Sequence, residues 1–384
     1  MKVLKLIFLA PIGFFFVLII RVLARFGFVI RFGEFFSNRL GHLAGNTECY
    51  LCEKSAWVQK GFDIWAHSGE PANKYLAKMI SRVIKVDPTG FTRLISLCNS
   101  TITGWERHYA SPTQMDRDIH NLFEKYPPHL TFTPEEVTRG WAGVRKLGIP
   151  LGAKWVYLIV RDEAKHPGLP YHSYRNADIE NYIKAAEWLA DQGYYVVRMG
   201  KTVSKPMPSK HPRIIDFTNE KHDDFLAVYL GAFCHFCIST STGPDAIPYI
   251  FRRPICYADF VPVEYLFSFL KDSIAIWKHH EKDGKRMTFK EIIESKAGLF
   301  MRAENFDQAG IKLINNTPDE ILALVQEMEQ TLDGKIANNK FWSPDRDQQK
   351  FWAEFPKTIS EYNNQPLHGE ARMRIGSEFL KGYQ

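Results

Sequence analysis

The residues of this 384-residue chain best suited to chemistry fall in four places. The first is the run Ser239-Thr240-Ser241-Thr242-Gly243-Pro244, which reads as a strand end turning into a helix. A helix N-terminus offers unpaired backbone N–H groups and the positive end of a dipole, and together these hold phosphate. Thr240, Ser241 and Thr242 would add hydroxyl donors, and Gly243 would let the backbone approach a ligand closely. Capping by a single hydroxyl explains one such residue and the whole cluster less well. The second and third places are Arg161, directly after the apolar run Trp155–Val160, and Arg198, near the end of Tyr194–Met199. Two arginines at neighbouring strand ends would make a cationic pocket for a diphosphate. The plainer alternative pairs Arg161 with Asp162 or Glu163 at the surface, which is worth little. Asp216 closes the next apolar run in the same way and could accept from a ribose or a base. The fourth place is Gly41-His42, where the imidazole titrates near working pH and could act as a general base. Asn46 shares a helix face with His42, and Glu48, further round, is a second candidate for base or acceptor contact. The alternative there is a histidine that bonds only its own turn.

The elements that must position these groups have a regular pattern after residue 153. Trp155–Val160 is a continuous apolar run, as expected of a strand buried on both faces. Ala177–Gln192 has helical spacing and ends at Gly193, a C-cap residue. Tyr194–Met199 and Arg213–Phe217 read as strands, Asp223–Ala232 as a helix, and Cys234–Ser239 as a strand. A helix to Phe251 and a strand over Pro254–Ala258 follow. This alternation predicts a doubly wound parallel sheet, with the ligand crevice at the carboxyl ends of the strands. Upstream, Arg39–Glu53 reads as a glycine turn entering a helix, Phe62–Ala66 as a strand and Ala72–Ile84 as a helix. Thr133-Pro134-Glu135-Glu136 is a helix start with its cap, and that helix should end near Lys146. Gly148–Gly152 then reads as a linker, and further helices are expected near 317–332 and 343–355. The predicted layout is therefore a membrane-associated segment over 1–32, an acceptor-side domain over 33–147, a linker over 148–153 and a ligand-binding domain over 154–332. Helices over 333–384 would complete it by packing back on the first domain.

Charge narrows the partners. The chain carries 49 basic and 43 acidic residues, a net of +6. Residues 1–40 hold Lys2, Lys5, Arg21, Arg25, Arg31 and Arg39 against Glu34 alone, so the rest of the chain is almost neutral. A nucleic-acid binder would spread its basic charge over a folded face. Here the excess sits on an apolar N-terminus instead. Its uncharged run, Leu6–Ile20, would reach only about 22 Å as a helix, short of the roughly 30 Å of a hydrocarbon core. Pro11 and Gly13 should interrupt it, and Arg21, Arg25 and Arg31 are spaced to meet anionic headgroups. A monotopic anchor dipping into one leaflet is the expectation, ahead of a single span or a cleaved leader. The six cysteines include two C-x-x-C pairs, Cys49/Cys52 and Cys234/Cys237, each inside an apolar run. Core thiols in a reducing compartment are expected, ahead of a shared zinc site or redox work. No GxGxxG, P-loop, G-x-S-x-G or HExxH motif is present, which argues against dinucleotide enzymes, P-loop NTPases, α/β-hydrolases and zincins.

The stretches RLGHLAGNTECYLCE, WVYLIVRDEA, YRNADIENYIKAAEWLADQGYYVVRMG, IIDFTNEKHDDFLAVYLGAFCHFCISTSTGPDAIPYIFRRPI and ARMRIGSEFL resemble a family of bacterial glycosyltransferases. That family is linked to surface polysaccharide and surface-layer glycan synthesis. The resemblance covers nearly the whole chain, and Tyr174-Arg175-Asn176-Ala177-Asp178 is its most specific part. It implies an α/β, GT-B-like architecture of two Rossmann-like domains facing across a cleft. The C-terminal domain would hold a nucleotide-sugar and the N-terminal domain the acceptor. Ser241-Thr242-Gly243-Pro244 is also similar to the turn with which heptosyltransferases cradle a donor diphosphate. Those enzymes place an aspartate base directly after the first glycine turn, where this chain has His42. They also have a histidine near the phosphate turn, where this chain has Asp245-Ala246, so an ADP-heptose donor does not follow.

The resemblance therefore implies transfer of a sugar from a nucleotide-sugar to a glycan or lipid-linked acceptor, with inversion. His42, with Glu48, would take the acceptor proton, and Arg161, Arg198 and the turn at 240–243 would stabilise the leaving diphosphate. Gly41, Asn46, Arg175 and Asn176 are expected on the acceptor side. Neither a metal nor any cofactor beyond the donor is expected. The expected place is the cytoplasmic face of the bacterial inner membrane. Nucleotide-sugar epimerases and pyruvyl transferases use similar sheets and are alternatives, as is a non-catalytic membrane scaffold for glycan assembly.

Overall fold

The apolar N-terminal residues form helix α1 (Lys2–Arg25), which runs unbroken through Pro11. It is followed by β1 (Ile30–Phe35), α2 (Leu40–Ser55), β2 (Phe62–His67), α3 (Lys74–Val83), β3 (Val86–Asp87) and α4 (Phe91–Ser100). In this computed structural model, residues 2–58, 60–110, 117–165, 168, 170–332, 334, 345–358 and 366–383 are described. The chain divides into two units, residues 1–117 with 125–132, and residues 118–124 with 133–384.

In the first unit β1, β2 and β3 form a parallel sheet in that order. Its core joins Val17 and Ile20 of α1 to Phe32 of β1 and to Leu94, Ile95 and Cys98 of α4. Gly13 does not break α1. A Cβ there would stand 2.6 Å from Cys98 Sγ, so the glycine permits the close approach of α1 to α4. Two of the three arginines expected at headgroups are bound within the unit, which corrects that reading. Arg21 donates to Asn99 Oδ1 (3.0 and 3.1 Å) and to the carbonyls of Ile102 and Thr103. Arg31 makes a forked pair with Asp63 (2.6 and 2.8 Å), which also accepts from Tyr50 and Lys54. Such forks satisfy both partners and are stronger than single contacts. The opposite face of α1 stays apolar and exposed, with Phe15 59%, Leu18 63% and, after the helix, Phe26 75% exposed. Among the described residues no helix is long and apolar enough to cross a membrane.

The second unit opens with α5 (Pro134–Lys146), whose capping box between Thr133 and Glu136 forms as the sequence predicts. Then come β4 (Trp155–Ile159), α6 (Ile183–Asp191), β5 (Tyr195–Gly200), β6 (Ile214–Thr218), α7 (Asp224–Phe233), β7 (Phe236–Ser239), α8 (Ala246–Ile250) and β8 (Ile255–Phe260). The chain continues through β9 (Ile274–Trp277), β10 (His279–Lys282), β11 (Lys285–Arg286), α9 (Phe289–Glu294), α10 (Ala303–Gln308) and β12 (Ile311–Ile314). It ends with α11 (Pro318–Leu332), α12 (Arg346–Glu354), β13 (Arg374–Ile375) and α13 (Ser377–Lys381). Seven strands form a parallel sheet in the order β13-β9-β8-β7-β4-β5-β6. A small antiparallel sheet, β11-β10-β12, stands apart from it.

Three expected boundaries move. Helix α5 belongs to the second unit, because Gly140 and Gly143 lie against Tyr229 and Leu226 of α7, so the chain divides before the expected linker at 148–153. The first unit begins its sheet at Ile30, inside the segment expected to be an anchor over 1–32. The described part of the tail meets residues 118–124, which lie within the expected first domain but belong to the second unit: Asn121 pairs with the Glu370 backbone and Glu124 with Arg372. Arg374 and Ile375 pair with β9, and Gln348 of α12 bonds both backbone groups of Ile375. Residues 333, 335–344, 359–365 and 384 of the expected tail lie outside the described residues.

Candidate functional site

Because all seven strands of the large sheet are parallel, their carboxyl ends share one edge. Strands β4, β5 and β6 succeed one another in one direction from the middle, and β7, β8 and β9 in the other. The order thus reverses between β4 and β7, the place where ligand crevices form in open α/β sheets. Across that junction the backbone N–H of Arg161 donates to Thr240 Oγ1 (3.0 Å).

Arg198 sits in β5 in register with Asp216 of β6 and Leu158 of β4, and its side chain is fully buried. Its Nη1 donates to the carbonyl of Lys205 (2.7 Å), and its Nη2 lies 3.9 Å from the Asp162 carboxylate. Nε and Nη2 have no hydrogen-bond partner. Burial pulls the Arg198 pKa down, while Asp216 and Asp162 oppose that shift. A guanidinium keeps its proton at neutral pH even so. Arg198 lines a cavity of about 240 Å³ together with Asp162, Glu163, Asn176, Asp178 and Lys205. The cavity thus has a buried cation in its wall, beside carboxylates that can accept from hydroxyl groups.

Arg161 and Arg198 turn to different partners. Arg161 Nε lies 3.4 Å from Asn176 Oδ1, whereas Arg198 faces Asp162 and Lys205. Asn176 is in turn held through its carbonyl by buried Lys278 (2.5 Å). Burial lowers the Lys278 pKa to about 8; Asp259 raises it and Arg161 lowers it further. Asp259, also buried, accepts from Tyr182 Oη (2.7 Å) and from the Asn316 backbone (2.6 Å). Lys278 and Asp259 were not among the sequence candidates. Lys278 follows the apolar strand β9 just as Arg161 follows β4 with one residue between, and that pattern was the available signal.

The turn at 239–243 is more self-contained than a phosphate cradle requires. Ser241 N–H donates to Ser239 Oγ (3.1 Å), and Thr242 N–H donates to Asp245 Oδ2 (2.9 Å), which also accepts from Ser239 Oγ (2.8 Å). The first two N–H groups are therefore satisfied inside the turn, a correction to the expectation that they face a ligand. Gly243 starts a single 3₁₀ turn, and α8 beyond it has only 5 residues. Arg175 donates to the Ser241 carbonyl, so Arg175 and Asn176 stand with this turn in the second unit. Asp216 is also committed: Oδ2 accepts from Met207 N (2.8 Å) and Oδ1 from Thr218 Oγ1 (2.6 Å). Both oxygens fasten the loop beside β6, one bond to each.

In the first unit Gly41 and His42 lie in the first turn of α2, and the His42 ring stands 5.7 Å from that of Phe36. Asn46 is buried one turn on. Glu48 does not face solvent. It is 1% exposed and its Oε1 lies 3.0 Å from His129 Nδ1, so its expected role as an accessible base is corrected to a buried pairing.

No family model matches the chain, and no curated protein matches its sequence. Its structure is similar to those of heptosyltransferases. The ADP-heptose LPS heptosyltransferase II of E. coli is 12% identical with a TM-score of 0.47, covering 80% of this chain and 100% of that one. A glycosyl transferase family 9 protein from Veillonella parvula is 12% identical with a TM-score of 0.45, covering 78% and 97%. The iron-containing dodecameric glycosyltransferase TibC of enterotoxigenic E. coli is 12% identical with a TM-score of 0.36, covering 61% and 62%.

Proposed function

We propose that the chain is a glycosyltransferase of GT-B type that moves a sugar from a nucleoside-diphosphate sugar to a glycan or lipid-linked acceptor in cell-surface polysaccharide synthesis. The observation that carries this reading is Arg198, a fully buried guanidinium with two unmet donors lining a cavity at the strand ends. A buried unmet donor is costly unless a ligand satisfies it, and a diphosphate accepts from both nitrogens of the fork. Asp162, Glu163 and Asp178 on the same wall suit the hydroxyl groups of a ribose or sugar. Preorganised cations of this kind stabilise charge on a departing diphosphate without a metal at that point. His42 takes the acceptor proton in this reading, which gives inversion. The exposed apolar face of α1 rests in the cytoplasmic leaflet of the inner membrane, next to a lipid-linked acceptor.

A thermal-shift series with UDP, GDP, ADP, CMP and dTDP, with NAD and S-adenosylmethionine as controls, tests the donor reading. One nucleoside diphosphate should raise Tm by several degrees, since a ligand that binds only the folded state stabilises it by mass action. No shift with any of them overturns it. His42→Ala should abolish transfer while leaving that shift intact.

A further inference from the structure

Helix α2 places Glu48 and Cys52 one turn apart on a single face, and both side chains are buried. His129 reaches them from residues 125–132, the segment that rejoins the first unit after the chain has left it. The three donor atoms form a triangle: Glu48 Oε1 to His129 Nδ1 is 3.0 Å, Cys52 Sγ to Glu48 Oε1 is 3.8 Å, and Cys52 Sγ to His129 Nδ1 is 4.0 Å. Tetrahedral coordination with bonds of about 2.0–2.3 Å requires ligand-to-ligand edges of about 3.3–3.6 Å. Each edge is therefore within about half an ångström of what one ion would need. Around the triangle the support is also present. His129 Nε2 stands 2.9 Å from Ser55 Oγ, a partner that fixes the ring and turns Nδ1 inward, and His129 N–H points at both Glu48 oxygens (3.4 Å each).

We propose that Glu48, Cys52 and His129 bind one divalent transition-metal ion of the zinc class, which fastens segment 125–132 to α2. Thiolate, imidazole and carboxylate together suit a borderline-soft ion and not magnesium or calcium. Binding replaces the Cys52 thiol proton, and any proton shared by His129 and Glu48, and releases it to solvent. The fourth position is left to water on the side of His129, whose side chain is 20% exposed. This site stands independently of the donor reading, because all its ligands lie in the first unit.

The test uses the full chain without a polyhistidine tag, stripped with EDTA and titrated with Co²⁺. We expect one equivalent to bind with a thiolate-to-cobalt charge-transfer band, to be displaced by Zn²⁺, and to raise Tm. Cys52→Ser should abolish the band, Cys49→Ala should keep it, and His129→Gln should weaken binding tenfold or more with an unchanged circular-dichroism spectrum. His129 is part-exposed, so its variant gives the answer if Cys52→Ser fails to fold. No band in the folded chain, a band that survives Cys52→Ser, or affinity unchanged in His129→Gln would each overturn the proposal and leave a proton-sharing Glu48–His129 pair.

Discussion

Arg198→Lys keeps the charge in β5 and removes the fork, so it isolates the feature on which the donor reading rests. In the native site Nη1 is spent on the Lys205 carbonyl, and Nε and Nη2 remain for a ligand. A hydrogen bond to a charged group contributes about 1.5–3 kcal/mol. An ammonium on a shorter reach re-forms at most one of the two bonds and has no planar geometry to match a phosphate. The net loss is then one bond at least, about 1.5–3 kcal/mol, or about 10- to 150-fold in Kd at 1.4 kcal/mol per decade. The assay is isothermal titration calorimetry with whichever nucleotide gives the largest thermal shift, alongside the Tm of the unliganded variant. Binding within twofold of the native value in a folded Arg198→Lys protein would refute the reasoning. The unmet nitrogens would then be a tolerated defect of the core and not a binding group.

Three further outcomes are expected. Gly140→Ala should destabilise the second unit by about 1–3 kcal/mol or more in chemical denaturation, because the new Cβ would stand 2.1 Å from Cε2 of the Tyr229 ring; unchanged stability would mean that α5 and α7 part easily. Burial raises the Glu320 pKa, but His279 and the Thr317 cap together pull it down to about 2. A depressed folded pKa contributes stability above the unfolded value near 4.3 that is lost as pH falls through about 2. The stability gap between native and Glu320→Gln protein should therefore close over that acid window, and a constant gap would contradict it. Phe15→Ser with Leu18→Ser should cut co-sedimentation with phosphatidylglycerol vesicles about tenfold or more, since each side chain loses up to about 1.5–3 kcal/mol of burial. Equal sedimentation would sink the membrane role of α1.

Local signals in the sequence carried well into the structure. The Thr133 capping box, the apolar run of β4 and the strand-helix alternation through β8 depend on neighbours within a few residues, and they form as expected. Strand β9 and the pairing of β13 were not legible. β13 is only 2 residues long and is held by a partner about a hundred residues away, so its own sequence has no strand signature.

The amino-acid sequence alone determined the parallel α/β sheet and the concentration of charged residues at strand ends, because periodicity and strand polarity are local properties. Tertiary structure decided which of those charges are available. Arg21 and Arg31 meet Asn99 and Asp63 rather than solvent, Glu48 meets His129 81 residues on, and Asp216 bonds its own loop. Arg198 keeps two buried nitrogens without a hydrogen-bond partner. The physical reason is that a buried charge takes whatever partner the fold brings to it, and the distance along the chain does not enter that choice.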